Sequence, residues 1–225
     1  MPPCPAPAAA PLTVFLASSS PRRQDLLRQA AVDFRLLAPL ADEDSEALEA
    51  TLPGEAPADY VQRVTQSKLD AAQQRLRRVH PTLDPLAAIV LCADTTVAID
   101  GQILGKPRDA ADAARMLRLL SGREHQVLTA VGVQRGAARH HALQVSQVRF
   151  AALSAQQITD YVASGEPFGK AGGYALQGRG AALVAHCCGS ASGIIGLPLY
   201  ETLKLLRAAG WPGSSGPTPQ RETTP

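Results

Sequence analysis

Residues 13–30 read TVFLASSSPRRQDLLRQA, and the fold class turns on how that stretch divides. Thr13–Ala17 is a short apolar run with β-branched and aromatic members, the composition of a buried strand. Ser20 then stands where a helix N-cap belongs, Pro21 takes the first helical position, and RRQDLLRQA carries the helix onward. A strand feeding a helix through a polar turn opens an α/β arrangement.

The rest of the chain repeats that alternation. A second helix is predicted from about Ala58 to Val79, with Val61, Val64, Ala71 and Ala72 on one stripe. Ala87–Ala93 (AAIVLCA) reads as a buried strand ending at Asp94. Thr96–Ile99 and Gln102–Leu104 flank Asp100-Gly101, a two-residue hairpin signal. Asp109 caps a helix, AADAARMLRLL, that Gly122 terminates. Gln126–Gln134 and Ala142–Phe150 read as strands. Ser154 with Gln157 makes a capping box for a helix closed by Gly165. Leu183–Ala185 is a short strand, and Leu199–Ala209 a last helix ending at Gly210. No internal repeat and no long linker appears, so residues 12–211 form one domain. The Pro/Ala-rich start, 1–11, and the polar Pro/Gly/Ser/Thr end, 212–225, are expected to be disordered tails.

Composition narrows the function. With 22 Lys+Arg against 20 Asp+Glu, the net charge of +2 is too small for a strongly basic nucleic-acid binder. Aromatics are 4% of the chain, too few for base-stacking platforms. No run approaches the length of apolar residues needed to span a membrane. The spacing of Cys4, Cys92, Cys187 and Cys188 fits neither a zinc site nor a disulfide framework, so reduced thiols in a cytoplasmic protein are expected. The five histidines form no metal-binding motif and are expected to be solvated or core residues. The basic residues are uneven: 18 are Arg, and only Lys68, Lys106, Lys170 and Lys204 are Lys.

Four places could carry chemistry. Ser18-Ser19-Ser20-Pro21-Arg22-Arg23 sets three hydroxyls and two guanidiniums at a helix N-terminus, which attracts phosphate. It lacks the glycines of a P-loop, and an ordinary capped helix with solvated arginines accounts for it equally well. Asp94 ends an apolar strand, where α/β proteins collect ligands. There a carboxylate can hold a proton or share a divalent cation, and either suits it to activating water; Thr95 and Thr96 add hydroxyls. Lys68 falls on the apolar stripe of its helix, which snorkelling also explains. Lys106 follows the hairpin, and KAGGYALQG, residues 170–178, is a loop whose Gln177 can both donate to and accept from a base edge.

In combination these segments resemble the Maf family of nucleoside triphosphate pyrophosphatases. The resemblance rests on LASSSPRRQDLL, YVQRVTQSK, CADTTVAIDGQILGKPRDAADAARMLRLLSGREHQVLTAVGV, GKAGGYALQG and GLPLYETLKLL, in that order, from Val14 to Leu206. It implies a mixed, elongated, twisted sheet flanked by helices around a central substrate cleft, and a homodimer. It implies hydrolysis of a nucleoside triphosphate to the monophosphate and pyrophosphate with a divalent cation, Mg or Mn. Asp94 matches the family's proton acceptor. Ser18, Arg22, Arg23, Lys68 and Lys106 match residues that hold phosphates or complete the site, and Arg22, Thr95 and Gln177 fall on the positions tied to substrate choice. Gln177-Gly178 places the chain with the dTTP/UTP branch; the 7-methyl-GTP branch carries Glu-Gly there. The family's Asp-Glu pair before the second helix is most simply Asp42-Glu43, although the spacing to Glu55 is stretched, and no metal ligand is assigned. The family's GSYSNVVGLPL reads GSASGIIGLPL here, so Ala191 and Gly193 replace an aromatic and an Asn. A non-catalytic nucleotide-binding regulator of division is the competing class. A haloacid-dehalogenase-type phosphatase needs a second Asp where Thr96 stands.

Overall fold

A computed structural model describes residues 12–44 and 47–213. The segments 1–11 and 214–225, and with them Cys4 and nearly all of the two expected tails, lie outside the described residues. Along the chain the elements are β1 (Thr13–Leu16), α1 (Pro21–Gln29), β2 (Phe34–Leu36), α2 (Pro57–Val79), β3 (Ala88–Ile99), β4 (Gln102–Leu104), α3 (Ala110–Leu120), β5 (Glu124–Arg135), β6 (Ala138–Phe150), α4 (Ala155–Ala163), β7 (Val184–Cys188), α5 (Ala191–Ile195) and α6 (Leu199–Ala208). They form the expected α/β architecture around one mixed sheet, ordered β2-β1-β3-β5-β6-β7, with β4 also on β3. β1 pairs in parallel with β2 and β3, and the other pairings are antiparallel.

Alternation along β3 sorts the core. Ile89, Leu91 and Ala93 pack with Leu26 and Leu27 of α1 and Leu206 of α6. Ala88, Val90 and Cys92 point the other way, onto Leu69, Ala72 and Leu76 of α2. Each of the Leu, Ile and Val side chains among these, taken from water, contributes about 1.5–3 kcal/mol, enough to clamp α1 and α2 on opposite faces of the same strand. Farther along, Tyr60, Val61 and Val64 of α2 meet Ala98, Leu128 and Ala130. α3 and α4 close the distal end around Val97, Leu117, Phe150 and Ile158.

One expectation needs correction. The strand holding Asp94 does not end there but runs unbroken to Ile99. Its ladder with β5 continues through the polar residues, pairing Asp94 with Ala130 and Thr95 with Thr129. Backbone hydrogen bonding carried the strand across a break in the apolar pattern. The opposite edge is different. β1 covers it from Ala88 to Leu91, and β4 covers it from Val97 to Ile99. Between these the edge of β3 has no strand partner among the described residues, and the sheet has a gap at 92–96. Asp94 therefore lies mid-strand, beside the carboxyl end of β1 rather than of its own strand. β2 and α5 were not expected: β2 is a three-residue strand with two exposed side chains, and α5 is five residues capped by Ser190.

The loop after α4 folds back against this region. Gly172 has φ 68°, its N–H donates to the Gly105 carbonyl at 3.0 Å, and a Cβ there would lie 2.9 Å from Val97. Gly172→Ala is expected to cost at least about 1 kcal/mol through positive φ and overlap together. Thermal unfolding checks it, and an unchanged midpoint would show that the loop does not press on Val97.

Candidate active site

The gap in the sheet opens into a cleft of about 830 Å³ lined by Ser18, Arg22, Arg23, Lys68, Asp94, Thr95, Lys106 and Gln177. That volume is within the range of small-molecule sites. All eight residues singled out by sequence thus converge, from five separate segments. β1 delivers the Ser18–Ser20 turn and the start of α1; α2 delivers Lys68 from one face; the turn after β4 delivers Lys106; the loop after α4 brings Gln177 to the rim, exposed.

Ser20 occupies the N-cap position of α1, but its side chain makes no capping hydrogen bond. Ser18 instead accepts from the Ser20 N–H at 3.2 Å. The helix start is left without a side-chain cap, with its partial positive charge in the cleft wall.

Charge concentrates at Lys68. Its ammonium donates to Asp94 Oδ1 at 2.5 Å and to Glu49 Oε1 at 2.8 Å. Lys106 donates to the other oxygen, Glu49 Oε2, at 2.7 Å. Lys68 does not snorkel to water. It lies between the buried Val64 and Leu69 because α2 packs on β3 there, and Asp94, only 7% exposed, points toward the same face.

Glu49 is the residue that sequence reasoning missed. It sits on a single 3-10 turn, Ala47–Glu49, with no buried residue of its own. α2 braces that turn: the Tyr60 hydroxyl donates to the Glu49 carbonyl at 2.9 Å, and Arg63 donates to the Ala50 carbonyl at 2.9 Å. Arg63 is oriented in turn by both oxygens of Glu55, at 2.5 and 2.7 Å. Nothing in the pattern of acidic residues at 42–55 marks Glu49 out, because its placement depends on these long-range contacts. The pair Asp42-Glu43, matched to the family's Asp-Glu, is engaged elsewhere: Glu43 pairs with Arg75, and Asp42 with Arg78. Burial pushes the Glu49 carboxyl up, but Lys68 and Lys106 outweigh burial and hold it below the usual carboxylate range. Burial, reinforced by the charges of Asp94 and Glu49, pushes the Tyr60 hydroxyl up to about 12.

The two arginines differ. Arg22 makes no hydrogen bond within the described residues, and burial lowers its pKa. Arg23 spends three donors on the protein, at Gly196 O (2.8 Å), Ser18 Oγ (3.3 Å) and Thr95 Oγ1 (3.2 Å). Lys170 donates to the Glu166 carbonyl at 2.5 Å, inside its own loop. That loop is anchored by Tyr174, whose hydroxyl meets His125 Nε2 at 2.8 Å with Phe150 packed edge-on. Burial pushes His125 down to about 4, so this core histidine is neutral.

Among the described residues no group of three or more His, Cys, Asp and Glu could hold a metal ion by itself. Two carboxylates, Asp94 and Glu49, meet across Lys68. A magnesium site is often completed this way, with one or two carboxylates and the rest from phosphate oxygens and water. The donor set therefore fits a divalent ion that arrives with an anionic ligand.

The model of the Maf-like protein family matches residues 13–209. A dTTP/UTP pyrophosphatase of Polaromonas sp. is 59% identical over 197 residues, covering 88% of this chain and 96% of its own. Proteins of the same name from Albidiferax ferrireducens and Ralstonia nicotianae are 57% and 59% identical, over 88% and 90% of this chain and 97% of theirs.

Glu49 links the cluster to stability. Its folded pKa lies below the ordinary 4.5, so between the two values the unfolded chain binds more protons. The stability it contributes is full above ~pH 5 and is lost as pH falls through the depressed folded pKa. Glu49→Gln should flatten that acid limb in denaturant titrations from pH 6 to 3. A limb as steep as wild type would remove Glu49 from the account.

Proposed function

The chain belongs to the Maf-like family, and on that premise we propose that it hydrolyses dTTP and UTP between the α and β phosphates, releasing the monophosphate and pyrophosphate. The observation that carries the reading is the joining of Asp94, Lys68, Glu49 and Lys106 in one cleft that also receives the uncapped start of α1 and the free guanidinium of Arg22. A triphosphate needs cations in its site, and these are already in place before it binds. The names of close relatives support the substrate.

Arg22, Lys106 and the N-terminal turn of α1 bind the phosphates. Asp94 accepts the proton of the attacking water, and Lys68 fixes the Asp94 carboxylate in position for that transfer. Lys106 meets the leaving pyrophosphate. Glu49 and Asp94 would hold a magnesium or manganese ion, whose chemistry when bound is to neutralise charge on the phosphates. Gln177, at the rim, reads uracil or thymine by accepting from N3–H and donating to O4; a site built on such bonds rejects bases that leave them unpaired. The working form is a homodimer in the cytoplasm, as the family resemblance implies. The free thiols of Cys92, Cys187 and Cys188 are in keeping with a reducing compartment.

Pyrophosphate release from purified protein with dTTP, UTP, CTP and 7-methyl-GTP tests the reading. The first two should dominate, and a preference for the methylated purine overturns the substrate. Asp94→Asn should lose at least ~10²-fold in kcat, and near-normal turnover by the folded variant would remove Asp94 as the proton acceptor. Lys68→Arg should also impair turnover despite conserving charge, since a planar fork cannot replace a point donor shared by two carboxylates. A wild-type rate would show that only charge is needed there.

A further inference from the structure

Thr95 lies at the centre of a hydrogen-bond chain whose direction can be worked out. Thr95 Oγ1 and Thr129 Oγ1 are 3.0 Å apart, across a β3–β5 pair. Thr129 Oγ1 also donates to the Gly193 carbonyl at 2.8 Å. A hydroxyl has one proton and two lone pairs. Thr129 has committed its proton to a carbonyl, which cannot donate, so in the contact between the two threonines Thr95 is the donor. Arg23, which can only donate, occupies one lone pair of the same Thr95 oxygen. Thr95 is left with one free lone pair and no proton to offer the cleft that it lines. A phosphate oxygen, itself an acceptor, gains nothing there. An N–H or O–H of a ligand does.

Arg23 is committed as fully. Its three bonds tie the turn before α1, the gap in β3 and the Gly196 carbonyl after α5 to one guanidinium. Thr129 is 0% exposed and is not among the residues lining the cleft; its hydroxyl meets Thr95, which is.

We propose that Arg23 and Thr129 are positioning residues that fix the Thr95 hydroxyl as a hydrogen-bond acceptor for the nucleoside part of the substrate, and that Arg23 is not a phosphate ligand. This rests on the nucleotide reading above and deepens it. dTTP and UTP share two donors of the required kind, the base N3–H and the sugar 3′-hydroxyl. Gln177 takes the base edge in that reading, which directs Thr95 to the 3′-hydroxyl.

The test is calorimetric binding of α,β-methylene-dTTP with magnesium, and of its 3′-deoxy and N3-methyl forms, to wild type, Thr129→Val, Thr129→Ser and Arg23→Lys. Thr129→Ser keeps the hydroxyl and should bind the parent analogue within about 2-fold of wild type, whereas Thr129→Val should weaken binding by roughly 10-fold, the scale of one hydrogen bond. In wild type the 3′-deoxy analogue should bind more weakly than its parent, and Thr129→Val should erase that preference. If the N3-methyl form shows this pattern instead, the acceptor assignment stands and the donor is the base. Equal binding by the Val and Ser variants, differing only in unfolding midpoint, would overturn the proposal and leave Thr129 a packing residue. Arg23→Lys combined with Thr129→Val should lose less than the product of the single losses, because both act through Thr95. A full product would restore Arg23 as an independent phosphate contact. Calorimetry needs no turnover, so a wild type that binds the analogue yet releases no pyrophosphate from dTTP refutes the activity without touching this inference.

Discussion

The ammonium of Lys68, held between Asp94 and Glu49, is the contact on which the cleft depends. Three elements meet there: a long helix, a central strand and a single 3-10 turn with little packing of its own. Withdrawing charges from water costs several kcal/mol per ion unless each finds partners. Here each carboxylate finds the ammonium, and Glu49 finds Lys106 as well. Removing Lys68 leaves Asp94 buried without its ion-pair partner, and removing Glu49 leaves Lys106 without its own. The cluster therefore fixes the 3-10 turn against α2, and Tyr60 and Arg63 complete that fixing from the backbone side. The preference for Arg elsewhere in the chain gains meaning here. Lys68 and Lys106 meet carboxylates as point donors, where a planar fork would need more room. Lys170 turns to carbonyls of its own loop, and Lys204 is exposed on α6. Three of the four lysines thus line the cleft, and two of them meet its carboxylates.

The cleft itself exists because β1 and β4 share one edge of β3 without meeting. β5 pairs continuously along the other edge, so the strand keeps an unbroken ladder on one side while its other edge is open. Rigid elements hold functional groups more accurately than loops do. The opening also explains how Asp94 and Thr95, neighbours that point to opposite faces of a strand, both line one cavity. Asp94 meets α2 on one side; Thr95 meets Arg23 and Thr129 on the other.

Features that rest on local chemistry were legible in the sequence. The Asp109 cap of α3 and the Ser154–Gln157 capping box of α4 are both present, because a cap involves residues three apart. The Asp100-Gly101 turn joins β3 to β4 as expected. The course of β3 past Asp94 was not legible, since only the distant β5 supplies its ladder. β2 escaped for the same reason: three residues with two exposed side chains carry no alternation. Glu49 could not be told from its acidic neighbours, because what selects it is a lysine 19 residues away. The eight site residues converge, yet their directions were invisible. Arg23 matches a phosphate-holding position in the sequence, and its bond to Gly196, 173 residues on, is nothing that local spacing shows.

That difference between the two arginines follows from the helix. Successive residues of an α-helix are turned by about 100°, so two neighbours cannot face the same way. At the start of α1 one of the pair must point toward the sheet and the other along the cleft. Leu26 and Leu27 fix which, because their burial on β3 sets the rotation of the whole helix. Arg23, three and four residues before them, falls on that buried side, and Arg22 falls toward the open cleft. An Arg-Arg pair at a strand-to-helix turn is thus one structural cation and one available cation. Core leucines one turn later decide which is which.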